Sequence, residues 1–385
     1  MKQQQKIYFH PFILFYCTAL LVSTVCCTGS ASNEEQPMPA LKQVYENDFL
    51  VGTALNHFQI SGTLADDQAV VEKHFNTITP ENLLKWERVH PEPETYNFDL
   101  ADRFIAYGEA NDMFIVGHTL VWHNQTPAWV FKNEDGGRLA EEELLKRMRD
   151  HIYNVVDRYK GRIHGWDVVN EALNEDGSWR ESAWYDIAGL SYIEEAFRAA
   201  READPDAELY YNDYNLWNPE KRAGAVRLVT HLQEAGVDID GIGMQAHWGL
   251  EHPPVEEIEA SIETFSELGI KVMITELDVD VLPSEGDIPD NITADMERRA
   301  FLDPYQDGLP ESVQSGLADR YGKLFSLLKK QSDKISRVTF WGVNDRQSWK
   351  NNWPVRGRTN HPLLFDRNNQ PKPALERVIE VGLDS

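Results

Sequence analysis

Short apolar and β-branched segments recur along the chain, and longer segments with helical periodicity lie between most of them. Eight short segments are predicted to be strands: 49–54, 75–79, 114–119, 163–169, 209–211, 241–245, 271–275 and 337–341. Helices are predicted at 141–159, 192–203, 219–235, 254–268 and 312–331. Strands that alternate with helices form a parallel sheet. Eight such units predict an α/β fold, the (β/α)8 TIM barrel, rather than an open sheet.

The predicted strands end in polar and aromatic residues. These ends are 79–82, 118–123, 170–171, 212–213, 245–248, 275–278 and 341–344. Because the carboxyl ends of parallel strands meet at one mouth of a barrel, we expect these side chains to converge there. Desolvating so many polar groups together is unfavourable unless they have a function. The long irregular segment 282–309 is expected to form a loop over the same mouth.

The composition restricts the domain organisation and the class of substrate. The chain has 385 residues and is 42% hydrophobic, which suffices for one large core. No linker, repeat or low-complexity tract follows residue 41, so 41–385 is predicted to be a single catalytic domain and 32–40 a polar tether. The formal net charge of −26 repels phosphate backbones and anionic lipid. A neutral substrate is therefore favoured, and nucleic acid is excluded as a partner.

The N-terminus has the pattern of a secretory signal. Lys2 and Lys6 precede an apolar run at 12–25, and small polar residues follow. The run is too short to predict a membrane span. Cleavage after Ala31 would release a secreted protein with a signal at 1–31, whereas a lipoprotein-type cut would anchor Cys27 to the outer cell surface. All the cysteines lie in this segment (Cys17, Cys26 and Cys27), so no disulfide is expected in the mature chain.

Two glutamates at predicted strand ends suggest glycoside hydrolysis. Glu171 and Glu276 are 105 residues apart, about three βα units, which places them on the fourth and seventh strands. In an eight-stranded ring their carboxyls can approach to the ~5 Å that a retaining glycosidase requires. Glu276 is then the nucleophile and Glu171 the general acid and base. His247 and Asp278 lie at strand ends from which they can keep the nucleophile charged.

Two segments around these glutamates resemble the acid/base and nucleophile motifs of the family 10 glycoside hydrolases, the xylanases. They are Trp-Asp-Val-Val-Asn-Glu-Ala at 166–172 and Val-Met-Ile-Thr-Glu-Leu-Asp-Val at 272–279. Six further segments agree in the same order: 75–86, 117–123, 211–214, 241–247, 340–342 and 362–366. The resemblance extends over about 50–383. It implies a retaining endo-1,4-β-xylanase whose partner is xylan or a xylo-oligosaccharide.

The resemblance also implies which residues bind the substrate. Trp122, Trp341 and Trp349 line the subsite at the cleavage point, and indole faces suit the apolar face of a pyranose. Amides and Lys suit the recognition of hydroxyl groups. The polar substrate-binding residues are Glu81, Asn82, Lys85, His118, Gln125, Asn170, Gln245 and His247. No metal and no cofactor is expected, because two carboxylates suffice for the reaction, and a monomer is predicted.

Three alternatives remain at this point. A β-1,4-glucanase or mixed-linkage glucanase would use the same mechanism, and the way Gln125 and Trp349 crowd the position of a C6 hydroxymethyl group would decide between the two. A carbohydrate-binding protein of weak catalysis is disfavoured because both carboxylates are present. A metal site at His118, His123 and His247 is disfavoured because His118 and His123 are five residues apart, which matches no common chelating spacing.

Overall fold

Eight parallel strands close into a barrel in a computed structural model of the chain, which describes residues 38–289, 291–292 and 294–384. Each strand pairs in parallel with its neighbours in the sequence, and β1 pairs with β8 to close the ring. The (β/α)8 prediction is confirmed. The barrel strands are β1 (Leu50–Leu55), β2 (Thr77–Pro80), β3 (Phe114–Trp122), β4 (Gly165–Asn170), β5 (Glu208–Asp213), β6 (Gly241–Met244), β7 (Lys271–Asp280) and β8 (Ile335–Phe340). A short additional strand, His247–Gly249, pairs in parallel with the end of β7.

The helices surround the barrel, and all five helices predicted from periodicity are present within a few residues of their predicted bounds. Short 3-10 turns occur at Ala128–Phe131, Glu285–Asp287, Asp345–Gln347 and Trp349–Asn351. The α-helices are α1 (Leu41–Val44), α2 (His57–Ile60), α3 (Ala65–His74), α4 (Trp86–Val89), α5 (Asp99–Ala110), α6 (Glu141–Arg158), α7 (Ala183–Ala188), α8 (Ser191–Ala203), α9 (Pro219–Glu234), α10 (Val255–Ser266), α11 (Asp295–Leu302), α12 (Glu311–Lys330) and α13 (Pro373–Leu383).

Helix α6 shows how the sequence pattern produces a barrel helix. Leu144, Met148, Ile152 and Val155 recur at helical spacing and are fully buried. Each contributes roughly 1.5–3 kcal/mol by leaving water. Three glutamates at 141–143 occupy the first turn, where negative charge favours the positive end of the helix dipole. The apolar stripe thus fixes which face of α6 meets the core, while its charged face stays in solvent.

The segment 282–309, predicted to be an irregular loop, is partly helical. That prediction is wrong for α11, whose first turn carries acidic residues that favour a helix N-terminus. The segment packs on residues that follow β8. The carbonyl oxygen of Pro283 accepts a hydrogen bond from Arg358 at 3.1 Å, and Asp303 Oδ1 accepts one from the Thr359 amide at 2.7 Å. These contacts fix the long β7–α12 connection.

The predicted signal segment, with Cys17, Cys26 and Cys27, and most of the predicted tether lie outside the described residues. From Pro39 onward the described chain forms one compact unit. None of the helices in this part is both long enough and apolar enough to cross a membrane.

Candidate active site

A groove of about 750 Å³ lies at the mouth formed by the carboxyl ends of the strands. It gathers both predicted catalytic glutamates and every predicted substrate-binding residue, while Asp278 lies behind His247. The lining residues are Glu81, Asn82, Lys85, His118, Trp122, His123, Asn124, Gln125, Asn170, Glu171, Arg180, Tyr214, Asn215, Gln245, His247, Glu276, Trp341, Trp349, Lys350 and Trp353. The polar strand ends therefore converge in the place that the sequence predicts.

Glu171 directly follows β4 and projects its carboxyl into the groove. Its Oε2 accepts a hydrogen bond from Trp122 Nε1 at 2.9 Å. Its Oε1 accepts one from Gln245 Nε2 at 3.0 Å and one from Asn170 Nδ2 at 3.3 Å. Three donors on three different strand ends thus hold the carboxyl in place. Its side chain remains 12% exposed, so solvent in the groove reaches it.

Glu276 lies inside β7 and is almost fully buried, with 4% of its surface exposed. The pairing of β7 with β8 shifts register between Ile274 and Leu277, so Glu276 lies in a local irregularity of the sheet. Its Oε1 accepts a hydrogen bond from Asn212 Nδ2 at 2.8 Å, and its Oε2 lies 3.2 Å from His247 Nε2. Both carboxylate oxygens therefore have a partner.

A chain of charges behind Glu276 keeps it ionised. Nδ1 of His247 lies 3.1 Å from Oδ2 of Asp278, which also accepts a hydrogen bond from Trp349 Nε1 at 2.7 Å. Burial alone would lower the pKa of His247, but the charge of Asp278 and the hydrogen bonds to Asp278 and Glu276 raise it to about 9. Burial opposes ionisation of Glu276, yet the hydrogen bond from His247 and nearby positive charge lower its pKa. The structure thus favours the ionised form of Glu276 despite its burial.

Asn212, at the end of β5, links the two glutamates. Its amide also donates to Asn170 Oδ1 at 2.9 Å, and its Oδ1 accepts a hydrogen bond from Thr275 Oγ1 at 2.6 Å. A Cβ on Gly243 would lie 2.4 Å from Asn212 Oδ1, so a residue without a side chain is needed beside it. Asn212 lies within the family-like segment 211–214 but was not predicted to be a site residue.

One end of the groove carries a row of donors and acceptors. Asn82 Oδ1 accepts hydrogen bonds from Lys85 Nζ at 3.1 Å and Gln125 Nε2 at 3.3 Å, and Asn82 Nδ2 donates to Glu81 Oε1 at 3.1 Å. Lys85 Nζ lies 4.7 Å from the ring centroid of Trp122. Burial lowers the pKa of Lys85 and raises that of Glu81, although their opposite charges counteract both shifts. This pre-formed row suits the hydroxyl pattern of a sugar.

His118, within β3, also lines the groove. Its Nδ1 lies 2.8 Å from Oδ2 of the buried Asp167, so this carboxylate fixes the orientation of the imidazole. The ring meets Trp341 edge-on, with 5.3 Å between the centroids. The groove therefore pairs polar side chains with indole faces, the combination by which proteins bind carbohydrate.

Comparison with known proteins decides the family. A profile of glycosyl hydrolase family 10 matches residues 40–381. The chain belongs to this family. It is 42% identical over 367 residues to endo-1,4-beta-xylanase A of Xylanibacter ruminicola, covering 95% of this chain and 98% of the relative. It is 39% identical over 377 residues to a thermostable celloxylanase of Thermoclostridium stercorarium, covering 93% and 92%. A solved family 10 endoxylanase from a sugarcane soil metagenome matches with a TM-score of 0.85 and 44% identity, covering 89% of this chain and 99% of that one.

Several residues that line the groove of this family 10 hydrolase were not predicted from the sequence to be site residues. Tyr214 and His123 lie within or beside segments that resembled the family, so position relative to the strand ends was an available signal. Trp353, 60% exposed, lies in a loop with no periodic pattern to mark it. The other missed residues are Asn124, Arg180, Asn215 and Lys350. Within the described ranges, no three histidine, cysteine or carboxylate side chains are grouped as metal ligands.

Proposed function

We propose that this family 10 hydrolase is an endo-1,4-β-xylanase that cleaves internal xylosidic bonds with retention of anomeric configuration. The observation that carries the proposal is the pair Glu171 and Glu276, which Asn170 and Asn212 connect through hydrogen bonds across a groove lined by indoles. The two carboxyls differ in environment, one partly open to solvent and one buried beside a cation, as two different roles require.

In the first step, an oxygen of Glu276 attacks the anomeric carbon while Glu171 donates its proton to the departing glycosidic oxygen. The carbon–oxygen bond to the leaving sugar breaks, and a covalent ester to Glu276 forms. Because the carboxylate of Glu276 is held charged by Asn212 and His247, it is ready to attack without prior loss of a proton.

In the second step, Glu171 removes a proton from water, and the resulting attack releases the sugar from Glu276. The two inversions at one carbon give net retention. Trp122 and Gln245 donate to the carboxylate of Glu171 and stabilise it in the interval when it carries a negative charge.

We propose internal rather than terminal cleavage because, besides the two glutamates, the groove lining includes Glu81, Asn82 and Lys85, which follow β2, and Tyr214 and Asn215, which follow β5. An endo-acting enzyme should lower the viscosity of a xylan solution sooner than it releases reducing ends. A viscosity that falls only in step with the release of reducing ends would overturn the endo assignment.

The substrate class follows from the resemblance to enzymes called xylanases, and the relative called a celloxylanase gives β-1,4-glucan a place as a second candidate. Initial rates on xylan, carboxymethyl-cellulose and an aryl xylobioside, measured side by side, distinguish them. We expect the highest kcat/KM on xylan. Proton NMR of the first product should show the β-anomer, whereas early α-anomer would refute retention.

We also infer that residues 1–31 direct export and that the exported chain acts as a monomer. The charge and apolar pattern of the N-terminus supports export, and one chain supplies both glutamates and the whole groove lining. Mass spectrometry of the native N-terminus tests the first inference. Ser32 at the N-terminus supports a secreted form, a lipid-modified Cys27 supports an anchored one, and an intact Met1 contradicts both. Light scattering during size-exclusion chromatography tests the second, and a dimer mass would overturn it.

A further inference from the structure

The backbone of Glu171 adopts a conformation that few residues with side chains tolerate. Its φ is +59°, in the left-handed region. Such a residue persists only where its surroundings hold it, and such sites concentrate at catalytic centres. The direction in which the carboxyl leaves the backbone depends on this angle. Whatever fixes the angle therefore aims the general acid.

Hydrogen bonds hold the peptide groups on both sides of this residue. The amide of Glu171 donates to the carbonyl of Asn212 at 2.9 Å, and its carbonyl accepts from Nε of Arg180 at 2.8 Å. The next amide, that of Ala172, donates to the hydroxyl oxygen of Tyr211 at 3.1 Å. Tyr211 is fully buried and does not line the groove, so it acts on the backbone alone.

A buried ion pair orients the hydroxyl of Tyr211. The hydroxyl has one proton, which it donates to Oδ2 of Asp213, so its oxygen lone pairs face the Ala172 amide. Oδ1 of Asp213 lies 3.0 Å from Nζ of Lys221 and accepts from the Tyr214 amide at 2.9 Å. Asp213 and Lys221 are both fully buried. A continuous series of polar contacts thus runs from Lys221 through Asp213 and Tyr211 to the amide of Ala172.

The same chain is braced from the groove side. Nζ of Lys221 lies 3.4 Å from the ring centroid of Tyr214, and the hydroxyl of Tyr214 accepts from Nη2 of Arg180 at 2.8 Å. Arg180 also donates through Nη2 to the carbonyl of Leu173 at 2.9 Å. Arg180 and Tyr214 line the groove and can touch substrate, whereas Tyr211 cannot. Tyr211 is therefore the member whose removal reports positioning alone.

We propose that Tyr211, oriented by the Asp213–Lys221 pair, is a positioning residue that holds the left-handed backbone at Glu171 and so aims its proton at the leaving oxygen. This inference rests on the proposed glycosidase function. Loss of the hydroxyl leaves the Ala172 amide without its partner, so the peptide after Glu171 is held only at its carbonyl, by Arg180, and can tilt. Proton donation then becomes inefficient, while Glu276, held by Asn212 and His247, keeps its place.

The test compares two substrates that differ only in their need for the proton. 2,4-Dinitrophenyl xylobioside has a good leaving group and scarcely requires protonation, whereas phenyl xylobioside requires it. In Tyr211→Phe we expect kcat/KM for the phenyl substrate to fall at least about 10-fold more than that for the dinitrophenyl substrate, since small misplacements of catalytic groups cost up to about 100-fold. The KM for xylan should be unchanged.

Tyr210→Phe is the matched control. Tyr210 is the preceding residue of β5 and is also buried, but its hydroxyl donates to Glu208 at the opposite end of the strand. In this variant the ratio of kcat/KM for the dinitrophenyl substrate to kcat/KM for the phenyl substrate should stay within about 2-fold of the wild-type ratio. That change is well inside the effect expected from a misplaced acid. Because both rates come from one preparation, the ratio does not depend on the folded fraction. Asp213→Asn, which removes the charge that orients the hydroxyl, should raise the ratio in the same direction.

The outcomes separate this inference from the function on which it rests. An unchanged ratio in Tyr211→Phe, in an enzyme whose wild-type form hydrolyses both substrates, overturns the positioning role alone. An equal increase in Tyr210→Phe also overturns it, because the effect would then belong to any lost hydroxyl on β5. A wild-type protein that hydrolyses neither xylobioside nor xylan overturns the proposed function and the positioning role together.

Discussion

Nε2 of His247 lies 3.2 Å from Oε2 of Glu276, and Asp278 holds the other nitrogen of the imidazole at 3.1 Å. The three groups form a line of alternating charge that runs from the groove into the buried interior. Because Asp278 is fully buried, its charge is little screened and acts strongly on the imidazole. Glu276, the proposed nucleophile, is thus supported by a cation that persists well above the pH at which a free histidine loses its proton.

The first prediction concerns the alkaline limit of the nucleophilic step. In Glu171→Gln the general acid is absent, so the rate of glycosylation by 2,4-dinitrophenyl xylobioside no longer depends on Glu171. The pKa of His247 is raised from 6.5 to about 9, so the imidazolium is present below that pH and lost as the pH rises through it. We expect the burst rate to fall as the pH passes through about 9.

His247→Asn in the same background is the control, since an amide can still donate to Glu276 but does not titrate. Its burst rate should be lower at neutral pH and flat through pH 9. A fall near pH 9 that persists in this double variant would assign the titration to another group.

The second prediction concerns acid stability and depends on a buried pair of histidines outside the groove lining. Nδ1 of His90 lies 3.1 Å from Nδ1 of His151, and Trp86 stacks on His151 with 3.6 Å between the ring centroids. Burial lowers the pKa of both histidines, that of His151 well below 6.5. The unfolded chain therefore binds their protons first, so stability is full above about pH 6.5 and is lost as the pH falls.

Each such histidine lowers the free energy of unfolding by up to about 1.4 kcal/mol per pH unit below its unfolded pKa. Urea unfolding at pH 8, 6 and 5 measures the slope. In His151→Gln we expect a lower free energy of unfolding at pH 8. Its decrease with falling pH should be shallower by up to about 1.4 kcal/mol per pH unit, which corresponds to one proton fewer. An unchanged slope in His151→Gln would contradict the prediction.

The barrel was predictable because its strands are apolar and its longer helices are amphipathic, but strand ends near the site were not. β7 was predicted to end at Thr275 and continues to Asp280. Glu276 and Asp278 alternate with apolar residues there. Both carboxylates are buried, and each contacts a different nitrogen of the His247 imidazole. Local polarity therefore indicated a loop, whereas pairing of 278–280 with the short strand His247–Gly249 extends β7 there.

The site itself was predictable to the extent that its residues lie in recognisable motifs at strand ends. Residues that act across strands were not. Asn212 matters because it reaches β4 and β7 at once, and Tyr211 because its hydroxyl meets a backbone amide 39 residues earlier. These contacts join residues that are far apart in the sequence. They arise only when the parallel strands pair, so the sequence pattern does not indicate them.

The third prediction tests the space beside Asn212. A Cβ on Gly243 would lie 2.4 Å from Asn212 Oδ1 and 2.7 Å from Thr275 Cγ2, so Gly243→Ala must displace the amide that donates to Glu276. We expect kcat to fall at least 10-fold and the free energy of unfolding to fall by about 1–3 kcal/mol. Chemical denaturation and initial rates on xylan measure the two effects.

Gly316 in α12 is the matched control, because a Cβ there meets nothing within 4 Å. Gly316→Ala should stabilise the protein by about 0.5–1 kcal/mol through helix propensity and leave kcat unchanged. A Gly243→Ala enzyme with wild-type kcat would show that Asn212 tolerates displacement and would remove it from the account of the nucleophile.

The last prediction separates the two glutamates by what each variant can still do. Glu276→Ala lacks the group that forms the covalent intermediate, so hydrolysis of every substrate should fall by roughly 10⁴-fold or more. Glu171→Ala keeps the nucleophile, so it should form the intermediate quickly from 2,4-dinitrophenyl xylobioside and barely react with xylan, whose leaving group is a poor alcohol. Since no base then activates water, dinitrophenolate should appear as a burst.

Azide gives this comparison its stereochemical control, because the anion needs no general base. It should restore turnover of the aryl substrate in Glu171→Ala by attacking the intermediate, and two inversions make the product a β-glycosyl azide. In Glu276→Ala any rescue must come from direct attack on the substrate, and one inversion gives the α-glycosyl azide. Each product is distinguished by its anomeric proton coupling in NMR. A burst and β-azide from Glu276→Ala, with neither from Glu171→Ala, would exchange the two roles. The covalent intermediate forms only in a variant that keeps its nucleophile, so Glu171 would then be the residue that carries the sugar.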